Sequence, residues 1–365
     1  MCAGSVRLRR MYLFFVPQKR MPLPSLTLCN LQGSVPDLLG FQNLIGLIRY
    51  FCQPKTALLK IYNSIDEFKK VKGAVVTTGT FDGVHIGHRK IISRLNETAK
   101  KIGGESVLLT FHPHPRMVLF PDDHDLELIT TMDEKIQLLK DAGVQNLIIH
   151  PFTREFSRIT SIDFIRDILV EKLGTSVLVI GYDHHFGRNR EGSFEHLKES
   201  GPLYGFQVEE ISVQDVDDVA VSSTKIRKAL QEGDVLTASK YLAHPYQLSG
   251  NVIHGDKLGR KLGYPTANIQ VEDRNKVIPA NGVYACYVIL NGKKLKGMLN
   301  IGTRPTVMGY IRRIEVNIFD FEQQLYGQSL ILELKDRIRD EKKFENVERL
   351  KERLAIDKNL ALAVL

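Results

Sequence analysis

The sequence predicts an α/β chain in which a doubly wound parallel sheet is followed by a small antiparallel β-barrel and a closing helix. Three observations carry this. From Val75 to Asp215, short runs that are apolar throughout alternate with stretches of helical period, the pattern of strands buried on both faces and their crossover helices. Beyond His244-Pro245 that alternation gives way to short strands separated by turns, which suits a barrel. Residues 341–362 return to a charged amphipathic pattern.

Residues 1–58 mix Pro17, Pro22, Pro24, Pro36 and Pro54 with short apolar pieces and hold no sustained period, so they read as a poorly ordered extension. We expect the native start near Leu59, with the upstream residues an over-extended reading frame. The first module then spans 59–244 and the second 245–365. Strands are expected at Val75–Thr78, Val107–Leu109, Leu147–Ile149 and Val177–Ile180. Ile91, Ile92, Leu95, Ala99 and Ile102 recur at helical spacing and stop at Gly103-Gly104. Ile162, Ile165, Leu169 and Leu173 do the same before Gly174. Such alternation implies right-handed crossovers, with ligands at the carboxyl ends of the strands. In the second module, Asn291-Gly292 between two apolar runs is a strong hairpin signal. Ile314–Phe319 and Leu330–Leu334 are expected to pair around Tyr326-Gly327, and Phe344, Val347, Leu350, Leu354 and Leu360 to share one side of the closing helix.

Composition bounds the function. A chain of 365 residues with 43% hydrophobic and 25% charged residues is ordinary for a folded soluble protein, and two modules with ample core fit in it. The net charge of +8 sits mostly in residues 1–60, where eight cations face one acid, Asp37; the remaining chain carries a net +1. A nearly neutral body argues against a nucleic-acid partner. No apolar run approaches the roughly 20 residues that span a bilayer. Cys2, Cys29, Cys52 and Cys286 show no metal spacing, and Cys286 reads as a buried thiol in a reducing compartment, so a cytoplasmic location is expected.

The first candidate site lies in Gly79-Thr80-Phe81-Asp82-Gly83-Val84-His85-Ile86-Gly87-His88, a glycine-bearing loop between a strand and a helix start. The first N–H groups of a helix lack partners and its dipole favours an anion, so such a loop can cradle phosphate. His85 and His88 lie one helical turn apart and aim at the same place, while Gly87 leaves room for close approach. Two other loops follow predicted strands: Phe111-His112-Pro113-His114-Pro115 and Gly181-Tyr182-Asp183-His184-His185-Phe186-Gly187. Ser222-Ser223-Thr224-Lys225-Ile226-Arg227 reads as a capped helix start whose basic first turns oppose the dipole unless an anion is near.

The second candidate site is Gly255-Asp256-Lys257-Leu258-Gly259-Arg260-Lys261-Leu262-Gly263-Tyr264-Pro265-Thr266-Ala267-Asn268. Gly255, Gly259 and Gly263 are not a Walker loop, since GK[ST] is absent, but they allow a backbone to close over phosphates. Thr266 and Asn268 offer hard oxygens suited to Mg²⁺ held jointly with ATP.

TGTFDGVHIGH resembles the signature of the HxGH nucleotidyltransferases, a Rossmann-like family, in the form carried by its FMN adenylyltransferase branch. Ser222–Arg227 matches that branch's SSTxIR motif. GDxxGRxLGxPTAN resembles riboflavin kinases, as do Gly297–Thr306 and Arg313–Phe319. Together they are similar to the prokaryotic bifunctional riboflavin kinase/FMN adenylyltransferase family over residues 60–365. The resemblance implies phosphorylation of riboflavin by ATP, then adenylylation of FMN to FAD. It implies that His85, His88 and Arg227 stabilise charge during adenylyl transfer, with Gly79, Phe81, Gly83, Gly87, Ser223 and Thr224 around ATP. Phe111, Pro113, Asp183 and Phe186 are expected around the flavin; His184 stands where the family usually carries an aromatic. In the barrel the resemblance implies Glu315 as general base, Gly255, Gly259 and Gly263 at ATP, and Thr266 and Asn268 on Mg²⁺. Expected partners are riboflavin, FMN and ATP, with the chain a monomer or weak homo-oligomer. A flavin sensor without turnover is disfavoured, because binding alone would not require both histidines, Glu315 and the Thr/Asn pair.

Overall fold

The computed structural model describes residues 58–122, 126–181, 185–188, 191–211, 221–255, 258–306 and 309–365. The expectation for residues 1–57 and the candidates Asp183 and His184 lie outside them. The described residues form one compact unit.

Its first half is a six-stranded sheet of β1 (Lys60–Tyr62), β2 (Ala74–Thr78), β3 (Ser106–His112), β4 (Asn146–Pro151), β5 (Thr175–Gly181) and β6 (Gln207–Ile211), ordered β1-β4-β3-β2-β5-β6. Every pairing is parallel. The central strands are buried on both faces because both alternating sets are apolar. Val76, Leu109, Ile148 and Leu178 join one core cluster, whereas Val75, Leu108, Leu147 and Val179 pack on the other side. From β2 the chain winds outward to β3 and β4, then returns to the opposite side at β5. The carboxyl end of β2 is therefore a topological switch point.

Helix α1 (Ile86–Ile102) follows β2 and buries Ile92, Leu95 and Ala99; left-handed Gly103 ends it. Short α2 (Pro115–Leu119) follows β3, and α3 (Met132–Asp141) starts on a capping box between Thr131 and Glu134. The pattern around Ile165, Leu169 and Leu173 forms one turn of α4 (Ser161–Asp163) running into a π-wound stretch, Phe164–Lys172. That winding suits a repeat of four, so those three residues are buried, while Ile162 is exposed rather than on their face. Then come α5 (Phe194–Tyr204), α6 (Ser223–Glu232) and α7 (Val235–Leu242).

The second half closes a barrel from β7 (Tyr246–Ile253), β8 (Ala267–Gln270), β9 (Gly282–Leu290), β10 (Lys293–Thr306), β11 (Gly309–Ile318) and β12 (Ser329–Arg339), ordered β10-β11-β8-β7-β12-β9. A four-residue helix, α8 (Leu258–Lys261), sits between β7 and β8. The β9–β10 hairpin turns on Asn291 and Gly292, both at positive φ, as Asn-Gly requires. The expected pairing of Ile314–Phe319 with Leu330–Leu334 is corrected: β11 lies between β10 and β8, and β12 between β7 and β9. Tyr326-Gly327 turns instead against β7, where Gly327 N donates to the Val252 carbonyl at 2.9 Å.

The closing helix, α9, spans Val347–Val364 rather than 341–362, because Asn346 caps it by accepting from Arg349 N at 2.9 Å. Val347 and Leu360 are exposed; the buried side carries Asp357 and Ala361.

Candidate functional site

The loop after β2 is held by its own burial. Phe81, Gly83 and Val84 all have positive φ, at 47°, 82° and 41°. For a β-branched residue this is strained, and it persists where surrounding packing over-determines the backbone. Val84 is fully buried and Phe81 nearly so, packed among Ile92, Leu108, Leu138, Leu139 and Leu147. At Gly83 a Cβ would lie 3.0 Å from Ile129 and 3.1 Å from Leu242, a tight fit on top of a φ that side chains rarely adopt. The Thr80 carbonyl accepts from Lys135 Nζ at 2.9 Å and Thr110 Oγ1 at 3.2 Å.

Asp82 anchors the loop from within. Its carboxylate accepts from Ile129 N, from Thr130 N and Oγ1, and from Arg227 Nη2, the last at 2.6 Å. Thr130 Oγ1 in turn accepts from Gly83 N at 3.1 Å, and His244 Nε2 lies 3.2 Å from the Gly83 carbonyl. Arg227, expected at the phosphates, thus spends its guanidinium on Asp82 and the Glu127 carbonyl. Ser223 Oγ donates to the Asp82 carbonyl at 3.3 Å, and Thr224 is exposed on the first turn of α6.

At the start of α1, His85 is the N-cap. Its Nδ1 accepts from His88 N at 3.4 Å, which fits the neutral tautomer with the proton on Nε2. The two imidazoles stack with centroids 3.7 Å apart and planes 15° from parallel. Burial, then His85 and then Lys135, holds His88 well below the usual imidazole range, so it is neutral at pH 7. His88 Nδ1 is buried without a hydrogen-bond partner, a polar atom that a ligand could satisfy. Gly79 ends β2 with its N bonded to the Leu109 carbonyl, and Gly87 is buried in the first turn of α1. The imidazoles, the helix N-terminus and nearby buried Lys135 are groups of the kind that suit an anion.

The loop after β3 adds His114, which burial brings down to about 4, against the opposing influence of Asp82. Phe111 packs edge-on against Phe152 at 5.6 Å, and Pro113 is exposed beside it. Phe186 is buried in the core cluster against which Phe111 also packs, its ring tilted at 5.5 Å from that of Phe164, so it offers little surface of its own for stacking on a flavin. Ring size and loop position could not distinguish a core phenylalanine from an open one.

In the barrel, register assembles the second site. Asn300 pairs with Glu315 and Glu315 with Asn268, so three strands present these side chains in one row. Ile314, Val316 and Ile318 alternate inward to fill the barrel, which puts Arg313, Glu315 and Asn317 on its outer face. There a cavity of about 330 Å³ is lined by Thr266, Asn268, Asn300, Glu315, Asn317 and Glu341, among others, with Leu350 and Leu354 of α9 on its far wall. Gly259 reaches this cavity; Gly255 lies behind Asn268, where a Cβ would come 2.0 Å from Nδ2. Gly263, at φ 82°, makes the turn that leads into Tyr264. Asn317 Nδ2 donates to the Pro265 carbonyl at 2.7 Å, tying β11 to the segment before Thr266. Thr266, Asn268 and Glu315 supply hard oxygens, the donor type that fits Mg²⁺ held with ATP phosphates.

Asp82, Thr130, Lys135, His244, Asn300, Asn317 and Glu341 were not singled out from the sequence. Asp82, Asn300 and Asn317 lie inside motifs already quoted; the others enter through tertiary contacts.

Comparison with known proteins agrees with the order of the two modules. Residues 67–225 match the FAD synthetase family model and residues 242–365 the riboflavin kinase model. The chain is 39% identical to the bifunctional riboflavin kinase/FMN adenylyltransferase of Escherichia coli K12 over 287 residues, covering 78% of this chain and 91% of the relative. The protein of the same name from Bacillus subtilis is 37% identical over 296 residues, covering 79% and 92%. A crystal structure from Streptococcus pneumoniae, described as a macrolide-efflux protein, superposes with a TM-score of 0.76 at 32% identity, covering 83% of this chain and 98% of its own. Among the described residues no helix is long and apolar enough to cross a membrane. With two family models matched in order and relatives aligned over most of their length, the chain belongs to the bifunctional riboflavin kinase/FMN adenylyltransferase family.

Proposed function

We propose that this chain converts riboflavin to FMN with ATP in its barrel, residues 245–365, and FMN to FAD with a second ATP in its sheet module, residues 59–244. What most supports the reading is that the two sets of residues gather in separate sites. The stacked His85–His88 pair caps α1 at the switch point of the sheet, and the Thr266, Asn268 and Glu315 row lines the barrel's outer cavity.

In the barrel, the ribityl 5′-hydroxyl of riboflavin attacks the γ-phosphorus of ATP. The Glu315 carboxylate accepts its proton and ADP leaves. Thr266 and Asn268 would hold a Mg²⁺ ion, which when bound neutralises phosphate charge. In the sheet module, an oxygen of the FMN phosphate attacks the α-phosphorus of ATP and pyrophosphate leaves, so no proton needs to be removed from the nucleophile. His85 and His88 donate ring N–H groups to the charge that accumulates on the phosphoryl oxygens, with the α1 N-terminus and Lys135 adding positive potential. Asp82 and Arg227 hold the loop that carries these groups. Phe111 and Pro113 border the flavin. The chain acts in the cytoplasm as a monomer or weak oligomer.

Incubation with riboflavin and Mg-ATP, with chromatography of FMN and FAD, tests this directly. His85→Ala should lower FAD formation by about 10²–10³-fold, the usual cost of one such donor, with FMN formation unchanged. Glu315→Ala should stop FMN formation yet leave FAD formation from supplied FMN. Loss of both reactions in either folded variant would defeat the two-site reading.

A further inference from the structure

Lys276 lies in the segment between β8 and β9, yet it does not line the barrel cavity. Its ammonium group is buried among residues of the sheet module. Nζ donates to the Ile129 carbonyl at 2.7 Å and pairs with Glu134 Oε2 at 2.5 Å, with both side chains at most 4% exposed. It also stands 4.6 Å over the Tyr246 ring. A short bridge runs alongside: Val277 N donates to the Leu128 carbonyl at 2.9 Å and Leu128 N to the Asn275 carbonyl at 2.5 Å. A buried ammonium with two oxygen partners from another part of the chain is expensive to keep.

The segment it grips is the one that grips the catalytic loop. Ile129, whose carbonyl accepts from the Lys276 ammonium, donates its own N–H to Asp82, and Thr130 donates twice to the same carboxylate. Glu134 accepts from Thr131 N at 3.0 Å and from Ser249 N of β7 at 3.2 Å, so the capping box of α3 is itself tied to the barrel. One residue, Ile129, separates the ammonium group from Asp82, and two, Gly83 and Val84, separate Asp82 from His85.

We infer that Lys276, from the barrel half, is a positioning residue for adenylyl transfer: through Ile129 and Glu134 it fixes the segment 129–134, and through Asp82 the loop that presents His85 and His88. This rests on the adenylyl-transfer reading above. It makes the two activities unequal in their dependence on the junction. Removing Lys276 disturbs FAD formation while leaving the barrel's own cavity row untouched.

The test uses the full chain, in which FMN formation reports on the fold. Lys276→Met should lower kcat for FAD formation from FMN by about 10–100-fold, the scale expected of an ångström-sized displacement of reacting groups, with KM for ATP within about threefold. FMN formation should stay within about twofold. Because Lys276→Met strands Glu134 in the core, the double variant Lys276→Met/Glu134→Leu is measured beside it; replacing a buried ion pair by apolar side chains commonly preserves stability. The double variant should melt at or above the single one and still show the kcat loss. Wild-type FAD turnover in the double variant, or a parallel fall of both reactions in it, overturns the inference and leaves Lys276 a purely structural residue. Absence of FAD formation by the unmodified chain would instead defeat the adenylyl-transfer reading. A normal FAD rate that His85→Ala abolishes and neither Lys276 variant alters defeats this inference alone.

Discussion

Asp82→Asn exposes how the adenylyl-transfer loop is held. The carboxylate is 2% exposed and all its partners are donors: Ile129 N, Thr130 N, Thr130 Oγ1 and Arg227 Nη2. An asparagine amide has one accepting oxygen, so in either orientation its NH₂ meets a donor, and the Arg227 charge is left without its counter-ion. Breaking a buried pair by removing one partner costs about 3–5 kcal/mol. Set against a total of roughly 5–15 kcal/mol, this leaves a folded chain at 25 °C whose melting point falls by about 10 °C. Function should split. With the hold of Asp82 on the 129–130 segment and on Arg227 weakened, FAD formation from FMN should drop by about 100-fold, while FMN formation from riboflavin stays within about twofold at 25 °C. Circular dichroism melts and separate initial rates for the two reactions give both readouts. A melting point within about 2 °C of the unmodified chain, or equal losses in the two reactions, would refute the claim that Asp82 anchors this loop.

Acid should weaken the fold through its buried imidazoles. Burial holds His114 at about 4, so between pH 6.5 and about 4 the unfolded chain takes up a proton that the folded one does not. Stability is complete above pH 6.5 and falls by at most about 3 kcal/mol on approaching pH 4, with His88 acting in the same direction; urea unfolding at pH 7.0, 5.5 and 4.5 measures it, and a flat profile contradicts it. Gly255→Ala would place a Cβ 2.0 Å from Asn268 Nδ2 and push that side chain from the cavity row. FMN formation should fall by about tenfold or more, while FAD formation from supplied FMN persists. Gly259→Ala meets the Tyr264 carbonyl oxygen at 2.3 Å, a backbone atom that cannot swing aside, and should be the more damaging of the two for FMN formation.

What could be read from the sequence follows from how local each signal is. Val75–Thr78, the apolar runs at 107–109, 147–149 and 177–180, and Asn291-Gly292 are short-range patterns, and each became the element expected. Glu315 was legible only through the motif's resemblance; in the fold the alternation of Ile314, Glu315 and Val316 sets it opposite the core face, and the cavity row with Asn268 follows from the pairing of β8 with β11. The pairing itself was not legible. Ile314–Phe319 and Leu330–Leu334 are adjacent in sequence, but closure of the barrel gives each of them other neighbours. Phe186 is a related case, since the sequence of a loop does not reveal how much of an aromatic ring the core will cover. Arg227 could be singled out from its motif, but its partner could not: only the fold brings its guanidinium to Asp82, at 2.6 Å.

Strain at Val84 can be tested apart from the loop's chemistry. At φ 41° a side chain with a Cβ costs about 1–2 kcal/mol that glycine does not pay, yet Val84 is wholly buried and its burial stabilises by about 1.5–3 kcal/mol. At an ordinary buried position, alanine is better than glycine by about 0.5–1 kcal/mol from backbone entropy, and by somewhat more from its methyl. Here the left-handed backbone works against alanine by a similar amount. Val84→Ala and Val84→Gly should both destabilise, and by amounts within about 1 kcal/mol of each other. Chemical unfolding of the two variants decides the matter. If glycine is worse than alanine by about 2 kcal/mol or more, the backbone at residue 84 is not in the left-handed region, and the packing of Phe81 and Val84 cannot be what holds His85 at the head of α1.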